Sequence, residues 1–255
     1  MKTLPESLQA DFGRDGFVML PRFLEPSLNS RLRASVELLM EDVYTAPKKW
    51  EAEALYQSQC QPDQLAHLSG DQRKNAEAML YIVGRLTRHL PDVKALLASR
   101  SVVAIAEAVL GEEVRLHFSN LTLRASRLGC GNAWHRDYPN QFCCGADERQ
   151  LRLIICLDGM AEAQGAVRVV AGSHHWTKAQ WATFKRSDEA KANGDVRTLG
   201  CPPGTVVALD CRTAHSVLPN ISAEPRANII AQYGARSNPL AVGDYELECN
   251  ESESE

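Results

Sequence analysis

The sequence predicts a single-domain α+β protein in which helices come first and short antiparallel strands follow. Apolar residues recur at helical spacing through much of the first half of the chain. After Gly111 the pattern changes to β-branched runs that are separated by Gly, Pro, Asp or Ser. With 255 residues, of which 44% are hydrophobic, the chain can bury one sizeable core. These observations indicate a sandwich or barrel of strands with helices packed on one face.

The first half begins with a short expected strand in "GFVMLPRFL", residues 16–24. Pro91 suits the first turn of a helix, and Gly111 suits a helix end. Together with the apolar spacing, these signals predict four helices: residues 27–44, 71–90, 91–99 and 101–110.

The second half contains five apolar runs that are typical of strands. Short strands at such intervals are found in antiparallel sandwiches and barrels. The predicted strands are residues 114–126, 151–159, 166–173, 204–210 and 226–234.

Charge and cysteine content limit the partners and the location. The net charge is −4 and no tract is strongly basic, which predicts neither nucleic acid nor a membrane as a partner. The chain shows no signal-peptide pattern and no apolar run of membrane-spanning length. Its eight cysteines contain no CxxC pair and are interpreted as reduced thiols, so we expect a cytoplasmic protein. We also expect a monomer or a homodimer. The acidic end, residues 249–255, is expected to be a disordered tail after a domain at 1–248.

The stretch "NAWHRDYP", residues 132–139, places His135 and Asp137 two positions apart. A salt-bridged surface loop would explain the pair, and so would a metal site, because alternate residues of an extended strand project to one side. A third ligand would have to come from another strand, and His215, after the run "GTVVALD", is the best candidate. Two histidines and one carboxylate on one face of an ion are typical of non-haem Fe(II) oxygenases.

Arg226 lies eleven positions after His215, on the next predicted strand. A planar guanidinium suits a carboxylate better than the point charge of lysine does. A dicarboxylate that chelates iron through one end would need such a group at its other end. An ordinary exposed strand arginine remains the alternative.

The chain opens with "FGRDGFVMLPRFL" and then contains, in order, HxD, "GAVRVVAGSHHW", a distal His and an Arg. This order resembles the phytanoyl-CoA dioxygenase family of Fe(II)/2-oxoglutarate oxygenases. The resemblance spans about residues 8–236. It implies a double-stranded β-helix (jelly-roll, cupin-like) core with flanking N-terminal helices. It also implies that His135, Asp137 and His215 bind iron and that Arg226 binds the distal carboxylate of 2-oxoglutarate.

The activity that the resemblance implies is hydroxylation of a small organic molecule with O2. Related halogenases lack the carboxylate ligand and bind chloride in its place, whereas this chain keeps Asp137. Two features depart from the family. Arg136 stands where relatives often have glutamine, and residues 44–85 match no family element. We expect that segment to form a lid or wall of the substrate pocket, with a helical flank or a dimer contact as alternatives.

Several polar residues near the expected site have more than one interpretation. His117 and Asn120 lie on the strand before the HxD segment, and we expect Asn120 to contact the cosubstrate. His174 and His175 could compete as ligands but are expected to be structural. Four arginines lie on or beside the predicted strands: Arg124, Arg136, Arg152 and Arg168. They could line an anion pocket, or they could pair with carboxylates such as Asp147, Glu148 and Asp158 on the solvent face. We expect the second arrangement for at least two of the four.

Two other classes of function remain open at this stage. A metal-binding cupin acting as an isomerase or hydrolase would not need Arg226. A catalytically silent jelly-roll protein would keep the fold and use the site only to hold a ligand.

Overall fold

The computed structural model describes residues 4–187 and 194–248, so the expected disordered tail at 249–255 lies outside the described residues. Its helices lie mostly before residue 111. They are α1 (Leu8–Asp15), α2 (Pro26–Thr45), α3 (Gln57–Cys60), α4 (Gly70–Glu77), α5 (Leu86–His89), α6 (Pro91–Ala98), α7 (Arg100–Leu110) and α8 (Lys178–Arg186).

The strands lie mostly in the second half of the chain. They are β1 (Phe17–Leu20), β2 (Ala54–Tyr56), β3 (Leu80–Gly84), β4 (Val114–Arg124), β5 (Asn132–His135), β6 (Cys144–Gly145), β7 (Gln150–Cys156), β8 (Val167–Val170), β9 (Val196–Thr198), β10 (Thr205–Asp210), β11 (His215–Val217), β12 (Arg226–Ala235), β13 (Leu240–Val242) and β14 (Leu247–Glu248).

These strands form a large sheet and a small sheet, as in a jelly roll. The large sheet runs in the order β1-β10-β7-β12-β4-β3-β2, with β14 also paired to β4. The small sheet runs β5-β11-β8-β9, and β13 pairs with β6 separately. The pairings within both sheets are antiparallel. The α+β, double-stranded β-helix class predicted from the sequence is confirmed.

The large sheet buries both of its faces. On β7, Leu153 and Ile155 belong to the same apolar cluster as Val36 of α2 and Val103 of α7. The residue between them, Ile154, packs instead with residues of the small sheet. Because successive side chains of a strand point to opposite faces, one face of the sheet meets the helices and the other faces the barrel interior. Polar side chains on that interior face are the ones that can build a site.

The single helix predicted over residues 71–90 is wrong in its middle, because a strand separates the short helices α4 and α5. Helix α4 ends at Glu77, and Leu80–Gly84 forms strand β3, which pairs with β4. The run "LYIVG" holds aromatic and β-branched residues, which fit a pleated sheet, and a short apolar run has no period that separates helix from strand. As predicted, helix α6 begins at Pro91 and helix α7 ends just before Gly111, which has φ = 76°. No helix in the described parts of the chain combines the length and apolarity that a bilayer crossing requires.

Candidate metal and cosubstrate site

The small sheet brings the two predicted histidine ligands together. His135 ends β5 and His215 begins β11, and the two are direct partners in the antiparallel register. Asp137 comes just after β5, where its backbone N–H donates to the carbonyl of Cys211 at 2.8 Å. Two separate strands and one anchored loop residue therefore fix the three side chains, rather than one strand carrying both His135 and Asp137.

The three side chains converge on one point. The Nε2 atom of His135 lies 3.7 Å from Oδ1 of Asp137, and Nε2 of His215 lies 3.6 Å from Oδ2. The three potential ligand atoms all lie within 4.8 Å of one another. Within residues 4–187 and 194–248, no other group of three His, Cys, Asp or Glu side chains is arranged to hold a metal ion.

Backbone hydrogen bonds orient both histidine rings. Nδ1 of His135 lies 2.8 Å from the carbonyl of Ala133, and Nδ1 of His215 lies 2.9 Å from that of Thr213. A carbonyl oxygen only accepts, so each Nδ1 carries the proton and each Nε2 keeps its lone pair for a metal. Burial lowers the pKa of His215 to about 4, which keeps the ring neutral as a metal ligand must be.

Asp137 is the one carboxylate of the site, and it is buried. Burial favours its neutral form, but Arg152, whose Nη1 lies 2.8 Å from Oδ1, and the two histidines hold the pKa below its usual value. Its second oxygen, Oδ2, is buried without a hydrogen-bond partner among the described residues. A buried anionic oxygen without a partner is costly. This orphaned oxygen, next to the Nε2 lone pair of His215, fits a divalent cation with vacant coordination positions.

Arg226 lies in the same cavity as the three ligands. The cavity has a volume of about 90 Å³ and is lined by strands of both sheets. Nε of Arg226 donates to the carbonyl of Gln164 at 3.0 Å and Nη2 donates to that of Gly165 at 2.5 Å. Burial, followed by the charge of Arg124, lowers the pKa of Arg226 to about 10. Carbonyl oxygens orient this guanidinium, but they do not neutralise its charge.

Asn120 lines a different cavity from the metal cluster. It lies on β4 two positions before Thr122, which lines the metal cavity. The cavity that Asn120 lines has a volume of about 400 Å³. His117 borders that same cavity, where Nε2 of Gln232 donates to its Nδ1 at 3.1 Å. The expected contact between Asn120 and the cosubstrate therefore stays a prediction.

The remaining histidine alternatives have structural partners. Nε2 of His174 and Nε2 of His175 lie 3.1 Å and 2.9 Å from the carbonyl of Gly13. Neither ring belongs to the metal cluster.

The expectation that at least two of the four arginines pair with Asp147, Glu148 or Asp158 is wrong. Those carboxylates pair with arginines from other positions: Asp147 with Arg149, Glu148 with Arg212, and Asp158 with Arg33. Arg136 donates to the carbonyl of Ser173 and Arg168 donates to Ser216 at 3.2 Å, whereas Arg124 and Arg152 point into the metal cavity.

Sequence reasoning did not distinguish Arg152 and Arg124 from the other two arginines. The signal was present in the strand alternation. In "LRLIIC", Arg152 shares its parity with Ile154, and Arg124 likewise shares its parity with Thr122. Both partners face the barrel interior. Parity identifies the interior face only after one residue of each strand has been placed in the core, and this required the structure.

The profile of the phytanoyl-CoA dioxygenase (PhyH) family matches residues 12–228. An ectoine dioxygenase from Sphingopyxis alaskensis is 25% identical over 261 residues, which cover 91% of this chain and 76% of the relative. A probable alpha-ketoglutarate-dependent hypophosphite dioxygenase from Stutzerimonas stutzeri is 30% identical over 193 residues, covering 69% of this chain and 66% of the relative.

A solved structure shares the fold. EctD from S. alaskensis with 2-oxoglutarate and 5-hydroxyectoine superposes with a TM-score of 0.70 and 21% identity, over 92% of this chain and 77% of that one.

Proposed function

The chain belongs to the phytanoyl-CoA dioxygenase family, and from that premise we propose that it is an Fe(II)- and 2-oxoglutarate-dependent dioxygenase that hydroxylates a small organic molecule. One observation supports this most directly. A set of two histidines and one carboxylate lines the same cavity as a buried arginine that contacts no carboxylate oxygen among the described residues.

His135, Asp137 and His215 would hold the iron, leaving three positions for the cosubstrate and O2. When bound, the iron and 2-oxoglutarate supply the oxidising chemistry, with O2 as oxidant and with succinate and CO2 as co-products. The protein orients these groups. The Nδ1 bonds of both histidines fix the ring planes, and the strand pairing fixes the distance between the rings.

Arg226 would bind the distal carboxylate of 2-oxoglutarate. A guanidinium offers two parallel N–H donors to a carboxylate, and burial strengthens that interaction because water does not compete. The named relatives are consistent with this role, since one is described as alpha-ketoglutarate-dependent and another was solved with 2-oxoglutarate. Asn120 lies on β4 two positions before Thr122, and it would contact the cosubstrate from the neighbouring cavity.

A cupin-type isomerase or hydrolase would need the metal ligands but not Arg226. A silent binding protein would need neither an orphaned ligand oxygen nor a buried arginine in the same cavity. Both features are present, so the oxygenase accounts for more of the site than either alternative does.

Metal binding and cosubstrate turnover test the proposal together. Wild-type protein loaded with Fe(II) under nitrogen should bind one equivalent and, in air, convert 2-oxoglutarate to succinate. His215→Ala should lose both properties. His175→Ala is the matched control, because His175 is exposed and bonds only to a backbone carbonyl. Stoichiometric iron in His215→Ala, or no succinate from the wild type, would reject the assignment.

The proposal extends to the setting in which the enzyme acts. The seven described cysteines are free thiols, as is usual in a reducing compartment such as the cytoplasm. We propose a cytoplasmic monomer or homodimer that uses small molecules rather than nucleic acid or membranes as partners. Sedimentation velocity would test the oligomeric state.

A further inference from the structure

The cavity of about 400 Å³ beside the metal site is large enough for a small organic molecule. It lies between strands β2 and β3 of the large sheet, the middle of β4, residues 142–143 and residues 243–246. The segment 44–85, which no family element explained, supplies part of its wall through Glu53, Leu55, Ile82 and Gly84.

This cavity adjoins the metal site through β4 and Phe118. Asn120 and Thr122 project from the same face of β4, one into each cavity. The ring of Phe118 lies 5.4 Å from the guanidinium of Arg152, which in turn contacts Asp137. A molecule that packs against Phe118 is therefore next to the metal ligands.

The apolar part of the lining is aromatic and aliphatic. Phe142 is 63% exposed and meets Phe118 edge to face, with ring centroids 6.1 Å apart. Leu55 is also exposed, at 39%. Exposed large apolar side chains that converge on one concavity are a usual feature of ligand sites.

The lining carries two arginines, Arg85 and Arg88, and three carboxylates, Glu53, Asp244 and Glu246, so its formal charge is −1. Glu53 pairs with His89, and Glu246 accepts hydrogen bonds from the backbone N–H groups of Thr87 and Ser119. The guanidinium groups of Arg85 and Arg88 make no hydrogen bond or ion pair with any residue in 4–187 or 194–248. Two unpaired cations therefore face a cavity in which two of the three acidic side chains already have partners.

The neighbouring metal cavity carries the opposite sign of charge. Arg124, Arg152 and Arg226 line it together with one carboxylate, Asp137, which leaves a formal charge of +2 when both ligand histidines are neutral. Bound Fe(II) and doubly charged 2-oxoglutarate cancel each other, so the linings of the two cavities together keep a formal charge of +1. A positive field of this kind attracts anions and disfavours cationic molecules.

We propose that the 400 Å³ cavity is the substrate site and that its substrate is an anionic molecule with an apolar part. Arg85 and Arg88 bind the anionic group, a carboxylate or a group of similar chemistry, and Phe118, Phe142 and Leu55 contact the apolar part. This inference rests on the proposed function, which supplies the reaction but not the substrate.

Matched acid and amide pairs test the proposal. Phenylacetate with phenylacetamide, and hexanoate with hexanamide, are titrated by calorimetry into the Fe(II)-loaded protein under nitrogen, with 2-oxoglutarate saturating. At least one acid should bind ten times or more tighter than its amide. In the double variant Arg85→Gln/Arg88→Gln this preference should vanish, while 2-oxoglutarate affinity stays within twofold of the wild-type value.

Arg127→Gln is the matched control. Arg127 is an exposed arginine with positive φ, as Arg85 is, and it does not line the cavity. Equal binding of acid and amide, a preference that survives in the double variant, or no binding by any of the four compounds would overturn the inference. Absence of 2-oxoglutarate binding to the wild-type protein would instead reject the proposed function. A titration with 2-oxoglutarate alone therefore precedes the titrations with the four compounds.

Discussion

The guanidinium of Arg152 lies 2.8 Å from Oδ1 of Asp137, so a cation of the protein already contacts the carboxylate assigned to iron. Asp137 is 4% exposed, and its other oxygen has no hydrogen-bond partner in the part of the chain that the structure describes. Without a metal, Arg152 is therefore the main group that stabilises this buried negative charge. With a metal bound, the ion takes over much of that role.

Arg152→Gln should destabilise the metal-free protein far more than the metal-loaded protein. Removing one partner of a buried ion pair costs about 3–5 kcal/mol, which corresponds to a fall in Tm of roughly 6–20 °C for a chain of this size. Calorimetric scans with and without Fe(II) under nitrogen measure the difference. Arg168→Gln is the control, because Arg168 donates to Ser216 Oγ and lies over the ring of Trp134, away from Asp137. An equal fall in Tm in both states would contradict the pairing.

Arg226→Ala should weaken 2-oxoglutarate binding roughly ten- to a hundredfold, since a charge-assisted hydrogen bond is worth about 1.5–3 kcal/mol. Arg226→Lys should restore only part of the loss, because an ammonium does not reproduce the two parallel donors. Calorimetric titration of the Fe(II)-loaded protein measures each dissociation constant. An unchanged constant for Arg226→Ala would place the distal carboxylate elsewhere.

Arg124 faces Arg226 across the β4–β12 pair and lines the same cavity. Its Nε is buried without a partner in residues 4–187 and 194–248, and burial lowers its pKa. An anion bound at Arg226 would relieve the repulsion between the two side chains. We therefore expect Arg124→Met to weaken 2-oxoglutarate binding as well, but less than Arg226→Ala does. Tighter binding by Arg124→Met would show that Arg124 does not face the bound anion.

The metal cluster was predictable because its signals are local and its spacing is characteristic. His135 and Asp137 are two residues apart, and His215 follows a strand that its β-branched residues make evident. Which arginines face the cluster was not predictable. Arg152 and Arg168 both lie on strands with apolar neighbours, and only the packing of the two sheets decides that the first points into the metal cavity.

The segment 44–85 was only partly predictable for a related reason. Strand β3 is stabilised by pairing with β4, whose residues come more than thirty positions later in the chain. Local periodicity does not predict such a distant partner strand. The same pairing argues that β3 is a fixed wall rather than a mobile lid.

Amide exchange tests the wall directly. Residues 82–84 should exchange slowly in the free protein and in the protein loaded with Fe(II) and 2-oxoglutarate, because β3 is hydrogen-bonded to β2 and to β4. The core strand β7 supplies the reference for slow exchange within the same sample. Fast exchange in the free protein that becomes slow on loading would identify a lid instead.

His117 is a second buried histidine whose titration affects stability. It is 1% exposed, its Nδ1 accepts a hydrogen bond from Gln232, and its Nε2 has no partner within the part of the chain that the structure describes. Burial, followed by the charge of Arg115, lowers its pKa to about 4 from an ordinary value of 6.5. Between these two values the unfolded chain binds a proton that the folded protein excludes.

The free energy of unfolding of the metal-free protein should therefore be highest above pH 6.5 and should fall as the pH drops towards 4, with His117 contributing about 3 kcal/mol. His215, whose pKa is also about 4, adds a loss in the same direction. His117→Gln removes one titrating ring, so its unfolding free energy should depend less steeply on pH, whatever its absolute stability. Urea unfolding at pH 7.5, 6, 5 and 4.5 measures the slope, and the exposed His175→Gln is the control. Equal slopes for wild type and His117→Gln would show that His117 is protonated in the folded state at the same pH as in the unfolded chain.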